Sequence, residues 1–61
     1  MEPPTVSDVI KRLEAEGYKM VRQRGSHIRY KRADKVVTVA GKASKHLDRK
    51  TWESIKRQAG W

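Results

Sequence analysis

Val6, Val9, Ile10 and Leu13 recur at the i, i+3, i+4, i+7 spacing that lays one apolar stripe along a helix. The stripe predicts a helix over about residues 6–16. Thr5 is placed to cap its amino end, and Asp8 stands three residues on, beside the positive end of the helix dipole. Gly17 is a left-handed stop that lets Tyr18 fold back onto Leu13. Beyond Tyr18 the helical period gives way to β-branched and aromatic residues alternating with basic ones, broken around Arg24-Gly25, which reads as a hairpin of two strands. In the second strand, period two puts Ile28 and Tyr30 on one face and His27, Arg29 and Lys31 on the other, so the first pair should meet the core. Ala33-Asp34 makes the next turn. Val36-Val37-Thr38-Val39 reads as a third strand whose apolar density leaves its inward register open. After the small, polar stretch Gly41–Lys45, Asp48 can cap a second helix with Trp52, Ile55 and Ala59 on its stripe. Gly60 ends that helix, and Trp61 can close onto Ile55. Two helices needing cover and a three-stranded sheet with one apolar face make an α+β fold, a two-layer α-β-β-β-α sandwich. Residues 1–4 are expected to form a tail and 5–61 a single domain.

Charge sharpens this picture. Fifteen Lys and Arg against seven Asp and Glu leave a net +8 on 61 residues, which favours a polyanionic partner, nucleic acid first and an acidic protein or membrane surface behind it. Hydrophobic residues make up 36% of the chain and are spread along most of it, which separates it from a disordered basic tail. The absence of cysteine removes disulfides, thiolate metal sites and a cysteine nucleophile together. With no long apolar run and no signal-peptide pattern at Met1-Glu2-Pro3-Pro4, the expected location is the cytoplasm, away from membranes.

Acid–base chemistry near neutrality falls most economically to His27 or His46. His27 follows Gly25-Ser26 on the outward face, in line with Arg29 and Lys31 and close in sequence to Arg22 and Arg24. Two readings stand: a surface histidine on a basic strand, or a proton-transfer group beside cations that hold phosphate, as ribonucleolytic chemistry requires. Lys42, Lys45 and Arg49 lead into the second helix, where phosphate positioning is a sensible role. His46 in that stretch reads better as part of a solvated basic loop. Two histidines nineteen positions apart, without thiolates, argue against a metal site, and Glu14 and Glu16, two apart on a helix, read as ordinary solvated residues. No phosphate-binding Gly-rich loop, nucleophile elbow or zinc-protease helix occurs. A DNA-binding regulator is poorly supported, since no helix-turn-helix spacing is visible.

Val9-Ile10-Lys11 through Gly17-Tyr18, Val21-Arg22-Gln23-Arg24-Gly25-Ser26-His27 and Ser54-Ile55-Lys56-Arg57-Gln58-Ala59-Gly60 together resemble the HicA toxin family, over nearly the whole chain after residue 4. The most specific part is Arg-Gln-x-Gly-Ser-His in the hairpin. The resemblance implies a double-stranded-RNA-binding-domain-like fold and an mRNA interferase that needs no metal or other cofactor. It also implies a HicB-type antitoxin as partner and a catalytic role for His27, with Gly25 and Ser26 as its motif neighbours. The chain departs from the family pattern at Ala40-Gly41-Lys42, where a Pro and a second His are frequent. It departs again at His46, where an acidic residue is common, and at Lys50-Thr51-Trp52, which replaces Gly-Thr-Leu. A competing reading is a binding module of the same fold that grips structured RNA without chemistry.

Overall fold

Helix α1 (Val6–Ala15) begins where Thr5 caps it, in a computed structural model that describes residues 2–61. All four amides of its first turn are satisfied. Thr5 Oγ1 accepts from Asp8 N at 3.1 Å and Thr5 O from Val9 N, while the Val6 and Ser7 amides donate to the carbonyls of Lys45 and Ala43. The loop before the second helix therefore does part of the capping. At the other end, Gly17 takes φ +92°, Tyr18 N donates to Leu13 O at 2.9 Å and Gly17 N to Glu14 O, the paired closure that a glycine stop permits.

Strands β1 (Lys19–Arg24), β2 (His27–Arg32) and β3 (Lys35–Ala40) form one antiparallel sheet in the order β1-β2-β3. The first turn places Gly25 and Ser26 between the paired residues Arg24 and His27, one step later than Arg24-Gly25. Gly25 at φ +58° supplies the positive φ required at the first central position. In the second turn Ala33 adopts φ +53°, which a side chain tolerates at some cost. The question left open for β3 is answered by Val37 and Val39, both fully buried, while Val36 faces out.

Helix α2 (Arg49–Ala59) packs mainly on β3, and both helices lie on one face of the sheet, giving the α-β-β-β-α sandwich. Val6, Val9 and Leu13 of α1 meet Ile55 and Ala59 of α2 and Tyr30, Val37 and Val39 of the sheet in a single core that Tyr18 and Leu47 complete. Asp48 stands at the N-cap position of α2 but makes no side-chain capping bond. It is exposed, and its carboxylate lies in water rather than against the first-turn amides. Pro3 and Pro4 run along the loop before α2, with Leu47 N donating to Pro4 O at 2.9 Å. Among the described residues no helix is long and apolar enough to cross a membrane.

The carboxyl end locks the two helices together. Gly60 turns the chain at φ +75°, Trp61 N donates to Lys56 O, and the indole crosses to α1. There Nε1 donates to Glu16 Oε1 at 3.0 Å, and the Arg12 guanidinium sits 3.9 Å from the ring centre. Trp52 lies beside it, ring centres 6.1 Å apart. Glu16 is thus not an ordinary solvated residue: it also accepts from Arg12, and its backbone carbonyl accepts from Arg32 at 2.7 Å. The indole hydrogen bond, followed by the Arg12 hydrogen bond and the Arg12 and Arg32 charges, holds the Glu16 carboxyl below its ordinary 4.5.

Because the folded-state value is lowered, the stability this group contributes is complete above pH 4.5 and is lost as pH falls through the lowered value. Thermal unfolding of Trp61→Phe, which keeps the ring but not the donor, should show a shallower loss of Tm on acidification than the parent. Parallel acid profiles would show that the indole does not hold the carboxylate.

Candidate functional site

The uncovered face of the sheet is organised by a β-bulge. Met20 pairs with Tyr30 and Arg22 with Arg29, so two steps on β1 answer one on β2, and Val21 is the extra residue. Side chains paired across strands share a face. By strict alternation from Lys19, residues 22 and 24 would point toward the helices. The bulge resets the phase, so that Lys19, Arg22 and Arg24 all lie on the open face with Lys31, Arg29 and His27 as their respective partners. Lys19 was not among the candidates read from the sequence. Basic residues three apart cannot share a face of a regular strand, and that mismatch is the signal that could have found it.

His27 begins β2 at the end of this ladder, opposite Arg24 on one side and Ala40 on the other, with Arg29 next on the same face. It is exposed. The Gly25-Ser26 tip beside it is fastened to the end of β3, since Gly41 N donates to Ser26 O at 3.0 Å. Gly41 is needed there. It takes φ +125°, and a Cβ would come 3.2 Å from Val6 Cγ2, so the Ala40-Gly41-Lys42 departure is built into the packing over α1. The histidine therefore stands on a short, doubly anchored hairpin end with cations across and along the strand.

The remaining candidates divide. Lys42 follows Gly41 at this same end of the sheet and lines a cavity behind the hairpin tip. Arg49 turns to the far side, into a groove of about 650 Å³ between the helices shared with Arg12, Trp52 and Trp61. Lys45 lies exposed between them, its carbonyl taken by Val6 N. His46 belongs with the amino end: its Nδ1 lies 2.7 Å from Pro3 O, where the nitrogen must be the donor, Nε2 is 3.3 Å from Glu2 Oε2, and its backbone bridges Thr5. Among the described residues no cluster of three or more His, Cys, Asp or Glu groups is placed to hold a metal ion.

Comparison with known families gives one result over this framework. Residues 6–61 match the family described as the HicA toxin of bacterial toxin-antitoxin systems, a span that includes the whole sandwich. No curated protein matches the chain.

Arg22 against Arg29 and Lys19 against Lys31 set like charges directly opposite each other, with Cβ atoms about 4.5–5.5 Å apart in such pairs, an arrangement that destabilises a sheet. Added salt screens exposed charges. The isolated protein should therefore gain Tm as NaCl is raised, and Arg22→Gln should be more stable than the parent by about 0.2–1 kcal/mol at low salt, the advantage shrinking as salt rises. A less stable variant under these conditions would show that the ladder is not repulsive.

Proposed function

The chain belongs to the HicA toxin family, and on that premise we propose that it is a metal-independent endoribonuclease that cleaves mRNA with His27 and is silenced by a HicB-type antitoxin. Family membership makes it a toxin with a cognate antitoxin. The observation that supports the finer reading is the position of His27: an exposed imidazole at the end of a ladder of unneutralised cations, on a face that the fold leaves uncovered. Repulsion between those cations is relieved when phosphate lies between them, so the face stores an electrostatic preference for a polyanion.

Chemistry follows from that placement. With an RNA phosphate held by Arg22, Arg24, Arg29 and Lys31, the neighbouring ribose 2′-oxygen attacks phosphorus, its proton leaves, and the bond from phosphorus to the 5′-oxygen breaks. The products are a 2′,3′-cyclic phosphate and a 5′-hydroxyl, with the proton lost at the 2′-oxygen balanced by the proton gained at the 5′-oxygen. His27 supplies one of these two transfers, and water, the Ser26 hydroxyl or a substrate group supplies the other. His46, bound to Pro3 and Glu2, is held by the amino-terminal segment instead. The guanidinium groups stabilise the charge that accumulates on the phosphate oxygens.

His27→Ala removes an exposed imidazole and little packing, so it should fold and bind RNA while its cleavage rate in EDTA falls about 10²–10⁴-fold, the usual contribution of a general acid–base group. Equal cleavage by both proteins would mean that another group moves the proton, and cleavage by neither would point to a binding module that grips RNA without chemistry. RNA affinity should also fall steeply with salt, because it comes from counterion release.

The same face suits the partner. An acidic antitoxin laid over the sheet would neutralise the ladder and exclude substrate in one contact, with complementary charge speeding encounter. Hydrogen exchange of the complex should show residues 22–31 protected. Inhibition with that hairpin unprotected would place the antitoxin elsewhere.

A further inference from the structure

Behind the hairpin tip, on the helix side of the sheet, lies a cavity of about 380 Å³. Its floor is apolar, formed by Val6, Ile10 and Ile28, and its rim carries Gln23, Ser26 and Lys42. Ile10 and Ile28 are only half-buried, which leaves apolar surface facing the opening. The volume lies within the roughly 300–1,000 Å³ of small-ligand sites.

Gln23 is the neutral polar residue in the otherwise basic and apolar strand Lys19–Arg24. The bulge at Val21 that turns Arg22 and Arg24 to the open face turns Gln23 the other way, opposite Ile28 and over the cavity. Its Nε2 reaches Gly25 O at 3.5 Å, the outer limit of a hydrogen bond, so the amide is easily released to a ligand. A carboxamide offers a donor and an acceptor side by side, which matches the paired edge groups of a nucleobase. Ser26 and Ile28, both lining the cavity, flank His27 in the chain, so only the hairpin tip separates the cavity from the phosphate position at His27. A base stacked inside a helix cannot reach such a recess, whereas an unpaired base can swing into it.

We propose that this cavity is a nucleobase subsite, in which an unpaired base next to the scissile phosphate rests on Ile10 and Ile28 and Gln23 reads its edge. The proposal rests on the ribonuclease reading above and adds its substrate class, single-stranded RNA selected by one base. Lys42 at the rim holds the phosphate that follows the seated base.

Two measurements decide it. Cleavage sites of the parent, Gln23→Ala and Gln23→Glu are mapped on a single-stranded RNA of mixed sequence. The parent should favour one base beside the cut, Gln23→Ala should lose about tenfold of that preference, and Gln23→Glu should shift it toward cytosine, whose N4 group donates to a carboxylate. In parallel, methyl resonances of Ile10 and Ile28 are followed in His27→Ala as a short single-stranded oligonucleotide is added, and both should move. Unchanged base preference in both Gln23 variants would overturn the subsite. So would oligonucleotide-induced shifts confined to the open face of the sheet, or no shifts at all. Absence of cleavage by the parent would refute the ribonuclease reading instead, and the methyl shifts would still decide the cavity.

Discussion

A sheet has two faces, and a chain of 61 residues has apolar material to bury only one of them. The two helices supply Val6, Val9, Leu13, Ile55 and Ala59, and these are spent against Tyr30, Val37 and Val39. Nothing remains for the other side. That face is left to water, and on β1 and β2 it carries the cations Lys19, Arg22, Arg24, Arg29 and Lys31, while β3 adds the uncharged Val36, Thr38 and Ala40. Core and functional surface are thus one decision read from two sides of the same strands. The margin is thin: at about 0.05–0.15 kcal/mol per residue, the whole fold is worth about 3–9 kcal/mol, which truncating one buried Leu or Ile, at about 2–5 kcal/mol, could largely erase. Against that margin, like charges held face to face across β1 and β2 are a real cost, one that a polyanion laid between them would relieve.

The bulge at Val21 is what makes both faces consistent. Without it, β1 would direct Arg22 and Arg24 toward the helices and Gln23 to the open face, the reverse of what the ladder shows. One unpaired residue therefore assigns charge to the open face and a neutral amide to the recess behind it. β1, the edge strand farthest from α2, also leaves Met20 and Val21 exposed, at 54% and 55%.

Much of this was legible from local pattern. The Thr5 cap, the Gly17 and Gly60 stops and the inward pair Ile28 and Tyr30 depend on residues within a turn or a strand of one another, and each stands where spacing put it. What local pattern missed depends on partners distant in the chain. Three valines in four residues cannot say which faces in, and the cover from the helices chose Val37 and Val39. Glu16 was indistinguishable from any exposed acid until Trp61, forty-five positions on, gave it a donor. His46 and the 43–47 loop are organised by the amino-terminal segment, which no helical or strand period connects to them. For the candidate site, His27, Arg29 and Lys31 followed from alternation, whereas Lys19 and the inward turn of Gln23 required the register.

The central claim is that the open face positions an RNA phosphate for attack by its own ribose, with His27 moving a proton. A single 2′-deoxy nucleotide placed 5′ to the cleaved bond of an otherwise unmodified RNA tests this most directly, with cleavage followed in EDTA. The modified strand should bind with nearly unchanged affinity and not be cut at that bond, while the unmodified strand should yield 2′,3′-cyclic phosphate and 5′-hydroxyl ends. Cleavage of the deoxy strand at the same bond would mean that water, not the 2′-oxygen, is the nucleophile, and would contradict the mechanism built on His27.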